Sequence, residues 1–267
     1  MRFKTVEIET KEGVAHVWLN RPQVHNAFDE KLIADLTHAL GELETDAQVR
    51  VVVLGGRGKS FCAGADLAWM KKAAAYTVDE NLRDAQALTG MLKALDRLSK
   101  PTIARVQGAA LGGGLGLVAA CDIAVAASTT VFGTTEVRFG LIPATIGPYV
   151  MAAIGRRAAR RFFLSGERIS ADAARPLGLV HEVCELQFLD DRVETIVQAL
   201  LLGGPRAQAE AKRLTRVMPE APIEDWTLER TARWIAELRA SPEAKEGIAA
   251  FLEKRPPAWN SPRGGKT

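Results

Sequence analysis

The stretch Pro101-Thr102-Ile103-Ala104-Arg105-Val106 runs into Gln107-Gly108-Ala109-Ala110-Leu111-Gly112-Gly113-Gly114, then Leu115-Gly116-Leu117-Val118-Ala119-Ala120, and closes on Cys121-Asp122-Ile123-Ala124-Val125-Ala126. Pro101–Val106 reads as a short apolar strand, Leu115–Ala120 as a short apolar helix and Cys121–Ala126 as another strand. A strand, a glycine turn, a helix and a second strand make one β-α unit. Upstream, Arg50–Leu54 is a strand of the kind buried on both faces. Two further strands, Lys4–Thr10 and Val14–Asn20, are joined by a turn at Lys11-Glu12-Gly13. Asp29 is placed to cap a helix carrying Leu32, Ile33, Leu36, Leu40 and Leu43, and a second long helix is expected from Asp79 to Leu98. The alternation predicts an α/β fold with a right-handed core. Beyond Gly140 the pattern is mostly helical, with a short strand at Leu179–Val183 and prolines 205, 219, 222 and 242 as punctuation. Residues 1–200 read as the α/β core and 201–267 as a helical C-terminal region.

Composition agrees with a folded globular chain. Of 267 residues, 47% are hydrophobic and 25% charged, and the formal net charge is only +3. These values exclude a disordered chain and a disulfide scaffold, and a charge of +3 gives nucleic acid little support as a partner. Cys62, Cys121 and Cys184 are odd in number and far apart, which fits a reducing compartment and offers neither a disulfide framework nor a metal site. The N-terminus carries charge where a signal peptide would be apolar, and the charge-free run Val106–Cys121 is too short and too glycine-rich to span a membrane. The expectation is a cytoplasmic protein without a membrane contact.

Nine of the 23 glycines fall in two windows, at 55, 56, 58 and 64 and at 108, 112, 113, 114 and 116. Each window follows a predicted strand, where glycine lets backbone amides approach a ligand. Several familiar sites are excluded by single positions. Gly58-Lys59-Ser60 lacks the glycine five residues earlier, where Val53 stands, so it is no P-loop. Leu117 occupies the place of the third glycine in a dinucleotide fingerprint. Ser165 has Phe163 two residues before it instead of the glycine of a serine-hydrolase elbow, and His181-Glu182 has no second histidine at zinc-protease spacing. What remains is a pair of amide-bearing loops: Phe61-Cys62-Ala63-Gly64-Ala65-Asp66, and Gly113-Gly114 at a helix N-terminus. Two converging amides suit negative charge developing on a carbonyl oxygen.

These residues resemble the crotonase (enoyl-CoA hydratase/isomerase) superfamily. The likeness is carried by Leu19-Asn20-Arg21-Pro22 with Asn26-Ala27-Phe28, by Phe61–Leu67, by Lys100–Ala104 and by Gly108–Gly114. It continues through Phe132-Gly133, Glu136, Gly140-Leu141-Ile142-Pro143, Leu164-Ser165-Gly166 and Phe251-Leu252-Glu253-Lys254-Arg255. The resemblance implies a ClpP-like spiral of β-β-α units with a C-terminal helical trimerisation region, forming a homotrimer or a hexamer built as a dimer of trimers. It implies an acyl-CoA thioester substrate and no separate cofactor or metal. The thioester oxygen would accept bonds from the amides of Ala65 and Gly113, with Glu136 as acid/base. Ala63 and Asp66 would lie against CoA, and Phe251 and Lys254 would reach the CoA of a neighbouring subunit.

One departure stands out. Hydratases of this family usually carry a second glutamate at the place held here by Gly116, which leaves Glu136 to act alone; if the glycine serves to make room, a bulky side chain there should hurt a branched substrate more than crotonyl-CoA. Residues 65–70, 116–122 and 136–144 are most similar to the bacterial 3-methylglutaconyl-CoA and isohexenylglutaconyl-CoA hydratases. A Δ3,Δ2-enoyl-CoA isomerase or an acyl-CoA decarboxylase of the same fold is the alternative, and an RNA-binding protein of that fold is the alternative of a different class. Arg156, Arg157, Arg160 and Arg161 form the stripe such binding would use, although a solvated helix face accounts for them as well. Arg138 is a candidate for a substrate carboxylate or a plain surface arginine. Trp69, Met70 and Tyr76 are candidates for the acyl pocket or the core, and Cys62 is expected to pack.

Overall fold

The computed structural model describes residues 3–218 and 222–260, so Pro219 and the end of the 201–267 region lie outside the described residues. The chain opens with β1 (Val6–Lys11) and β2 (Val14–Leu19), an antiparallel pair, followed by α1 (Glu30–Thr45), whose first turn Asp29 caps by accepting from the Leu32 amide at 2.8 Å. β3 (Val51–Gly56) is buried along its whole length and leads through residues 57–66 to α2 (Leu67–Ala73) and α3 (Val78–Arg97). The α3 start is set by Thr77 and Glu80, which cap each other's backbone, one residue before the expected Asp79.

β4 (Thr102–Val106) and β5 (Ala109–Leu111) precede α4 (Gly113–Ala120); β6 (Ile123–Ala127) and β7 (Val131–Gly133) precede a short 3-10 helix at Glu136–Phe139 and α5 (Gly147–Ser165). Then come β8 (Ile169–Ser170), α6 (Ala171–Ala174), β9 (Glu182–Cys184) and α7 (Leu189–Leu201). The tail is α8 (Pro205–Val217), α9 (Asp225–Arg239) and α10 (Pro242–Leu252).

Strands β1-β2-β3-β4-β6-β9 form one sheet, parallel from β2 onward, and β5-β7-β8 form a smaller second sheet. The chain therefore climbs by a strand in the first sheet, a strand in the second and a helix, twice over: β4-β5-α4 and β6-β7-α5. The segment after β3 starts the same course, because Cys62 bridges Ala110 beside the second sheet. This is the course of the β-β-α units that the resemblance implied, although the residue patterns alone did not mark the strands of the second sheet; the strand read at Leu179–Val183 is shorter and later, at Glu182–Cys184. Strands of two or three residues are too short to show a period of two.

Two apolar layers hold the first sheet. Val17, Leu19, Val52, Leu54, Ala104 and Val106 face α1, α3 and α4, while Val51, Val53, Ile103 and Val125 face Val193 and Val197 of α7. α4 is apolar on all sides and lies at the centre, with Leu115, Leu117 and Val118 at most 1% exposed. Each such side chain contributes about 1.5–3 kcal/mol. That burial fixes where the N-terminus of α4 points.

Candidate active site

The parallel strands deliver their loops to one end of the sheet, the usual place for a ligand in α/β folds. After β3, the segment 61–66 is held from both sides. Cys62 accepts from the Leu111 amide and donates to Ala109; Ala63 donates to the carbonyl of His25; the Phe28 amide donates to Gly64 and the Asp66 amide to Phe28. In this parallel bridge the central residue, Ala65, turns its own N–H away from Phe28. That N–H meets no acceptor among the described residues, and Ala65 is exposed.

After β5, Gly112 has φ 48° and ψ −121°, a conformation reserved for glycine, and its amide donates to Gly133 at 2.9 Å. The helix then starts at Gly113, so Gly113 and Gly114 form the first turn of α4 instead of preceding it. The Gly113 amide is one of the donors that an α-helix leaves without an internal partner, and it too finds no acceptor among the described residues. The two loops touch: a Cβ on Gly112 would lie 3.8 Å from Cα of Gly64, and one on Gly64 would lie 3.1 Å from the carbonyl oxygen of Leu111.

Glu136 completes the group. It begins the 3-10 helix after β7, and its Oε1 lies 3.2 Å from where a Cβ of Gly112 would be. Its Oε2 is buried with no partner among the described residues. Burial pushes the carboxyl above the usual carboxylate range, and its own backbone amide offsets this only in part. An acid held above its ordinary pKa, beside two unpaired amides, can both take and return a proton.

Asp66 caps α2 through the amides of Ala68 and Trp69 and binds Arg21 at 3.0 Å. Burial raises its pKa, but those amides and the guanidinium outweigh this and hold the carboxyl below its ordinary value. Cys62 is fully buried, and desolvation pushes its thiol up to about 12, so it is an inert packing residue. Trp69 donates to Asp84 at 3.2 Å and packs on the core, and the Tyr76 hydroxyl donates to Glu30. Arg138 is exposed and lies along Gly166 at the end of α5. Of the arginine stripe, Arg161 pairs with Glu167 at 2.5 Å. Phe251 is 82% exposed and Lys254 follows α10, which packs chiefly against α9.

Gly116 has no open space beside it. A Cβ there would lie 2.3 Å from Cγ2 of Ile146 and 3.6 Å from Leu92, so the space is already filled by a side chain that is itself 1% exposed. The glycine makes room for Ile146 and not for a substrate branch. Sequence reading missed Ile146, and it missed the part of Phe28, whose ring lies 2.7 Å from where a Cβ of Gly113 would be. Neither has a local signal, because each acts on a residue far away in the chain.

Known proteins resemble this chain in sequence and in structure. A family model described as enoyl-CoA hydratase/isomerase matches residues 9–262. The chain is 34% identical to the (E)-benzylidenesuccinyl-CoA hydratase of Thauera aromatica, covering 95% of this chain and 98% of that one. It is 32% identical to the short-chain-enoyl-CoA hydratase of Clostridium acetobutylicum, over 96% and 97% of the two. Among solved structures, an enoyl-CoA hydratase from Shewanella pealeana superimposes with a TM-score of 0.94 at 41% identity, over 97% of each chain.

Proposed function

The chain belongs to the enoyl-CoA hydratase/isomerase family and is an enzyme of the hydratase type, and from that premise we propose that it adds water to an α,β-unsaturated acyl-CoA with Glu136 as its one acid/base. The observation that carries this reading is the Glu136 carboxyl against Gly112, where the 61–66 loop meets the start of α4 and the Ala65 and Gly113 amides lack acceptors among the described residues.

In this reading the thioester oxygen sits between the two amides. Water adds its oxygen to the β-carbon and gives a proton to Glu136 while the C=C electron pair moves toward the carbonyl. The resulting enolate oxygen is held by the amides, each donor being worth about 2.7–4 kcal/mol in the transition state. Glu136 then returns its proton to the α-carbon on the same face, which completes a syn addition of H and OH. Ala63 and Asp66 are proposed to lie against CoA through their backbone, since the Asp66 side chain is already engaged.

A branched, carboxylated acyl group such as 3-methylglutaconyl is proposed as the substrate class. It is supported by the relative named for benzylidenesuccinyl-CoA, a thioester with a second carboxyl group. We place the enzyme in the cytoplasm as a trimer or hexamer. The exposed Phe251 and Lys254 would there serve a neighbour's CoA, Lys254 as a point charge for phosphate.

Glu136→Gln tests the assignment. Turnover should fall at least about 10²-fold, the low end for general acid–base catalysis. A carboxyl that is harder to ionise in the folded state lowers stability once pH rises above its unfolded value, so the variant's melting point at neutral pH should equal or exceed that of the wild type. Hydration within twofold of wild type would remove Glu136 from the mechanism. A second reading, double-bond isomerisation, is favoured by the lone carboxyl, because that reaction needs one base and no water. Solvent ¹⁸O appearing in product selects hydration; product formed without ¹⁸O selects isomerisation.

A further inference from the structure

Arg21 is the most heavily engaged side chain near the two amides, and the mechanism above does not use it. Its Nη1 donates to the carbonyl of Ala27 at 2.5 Å, and its Nη2 lies 3.0 Å from Oδ2 of both Asp66 and Asp29. The side chain is only 15% exposed. Each acceptor belongs to a different element: Asp29 caps α1, Asp66 caps α2, and Ala27 is the residue before Phe28. The base of this fork is itself fixed. The Arg21 amide donates to Oδ1 of Asn26 at 2.8 Å, the Asn26 amide donates back to the Arg21 carbonyl, and Asn26 is fully buried.

Phe28 is where this arrangement meets the chemistry. Its backbone clips the loop on both sides of Ala65, by donating to Gly64 and accepting from Asp66, and its ring lies against Gly113. One residue thus borders both unpaired amides. Arg21 grips the chain immediately before Phe28 and the side chain immediately after Ala65. A forked guanidinium is the group suited to joining a carbonyl and two carboxylates at fixed angles, which an ammonium cannot do. A role in holding CoA phosphate is disfavoured by the same contacts, because two carboxylates already meet the single positive charge.

We infer that Arg21 is a positioning residue: by tying Ala27, Asp29 and Asp66 together it sets the separation and aim of the Ala65 and Gly113 amides on the thioester oxygen. The inference rests on the reading of those amides as the oxyanion site. It concerns geometry that matters in the transition state, where a misplacement of about 1 Å costs on the order of 10²-fold.

The test uses the full-length enzyme, crotonyl-CoA as substrate, and 4-dimethylaminocinnamoyl-CoA as a probe whose absorbance moves to the red when its carbonyl is polarised. Arg21→Met should lower kcat at least about tenfold with KM changed less than about threefold, and should lose most of the red shift at a temperature where the protein is folded. Arg21→Lys, which keeps the charge, should fold with near wild-type stability yet show a smaller red shift and at least about fivefold lower kcat. If Arg21→Met does not fold, Arg21→Lys decides. Glu136→Gln is the control, expected to lose turnover and keep the red shift. Wild-type red shift and kcat in both Arg21 variants would overturn the inference while leaving the proposed function intact, and so would a loss confined to KM. Absence of both hydration and red shift in the wild-type enzyme would overturn the reading beneath it.

Discussion

The first turn of α4 and the last turn of α10 are both helix ends built from small and apolar residues, and they are opposites in packing. At Gly113, Gly114 and Gly116 there is no spare volume: a Cβ would meet Phe28, the carbonyl of Cys62 or Ile146 at 2.7, 2.4 and 2.3 Å. Phe251 and Leu252, by contrast, are 82% and 73% exposed among the described residues. The first region is completed by its own chain, because fixed amides are useful only if they do not move. Among the described residues, nothing completes the second. Ile235 and Ile248 are 54% and 49% exposed, and polar contacts tie the tail to the core, such as Lys212 to Asp122 at 2.8 Å and Arg50 to the carbonyl of Gly203 at 2.6 Å.

The sharpest way to break this contrast is Gly114→Ala. The new methyl would meet the carbonyl oxygen of Cys62, a backbone atom that cannot swing aside, so the expected loss is about 3 kcal/mol. That corresponds to a fall of about 6 °C in melting temperature. An unchanged melting point would mean that the first turn of α4 is not as tightly packed as its geometry requires.

Gly116→Glu should cost about 2 kcal/mol by overpacking against Ile146. The same change made together with Ile146→Gly should cost less than the sum of the single changes, with a coupling of about 1 kcal/mol or more. Additive costs in a double-mutant cycle measured by denaturation would show that Ile146 is not what fills the glycine's space. If the pair does restore a second carboxyl to the site, the pH profile of kcat should gain an ionisation.

Phe251→Ser is expected to have the smallest effect on the chain itself, within about 0.5 kcal/mol, because an exposed side chain loses little when truncated. Its proposed effect is on association, read as a lower mass by light scattering at micromolar concentration. A large loss of stability with unchanged mass would instead show that the end of α10 is packed within its own subunit.

Much of this was legible from residues. Asp29 announces α1, Val51-Val52-Val53-Leu54 announces a strand buried on both faces, and the spacing of Leu88, Leu92 and Leu95 announces α3. The capping pair Thr77 and Glu80 was also there to be read, and it places the α3 start better than Asp79 does. The second sheet was not legible, because its strands draw their order from partners distant in sequence, such as Ala110 on Phe132 and Phe132 on Ile169. For the candidate site, Ala65, Gly113 and Glu136 were picked out on sequence, and the fold gathers them through Gly64 and Gly112.

The sequence by itself determined the alternation of strands and helices, the central apolar helix and the two glycine windows, because propensity, capping and periodicity are local. It also determined that Gly116 brings no carboxyl to the site. Only the tertiary structure decided what stands beside that glycine, where Arg21 spends its charge and which way the Ala65 amide faces. Those are set by close packing between segments far apart in the chain, and close packing has no signature in the order of residues along it.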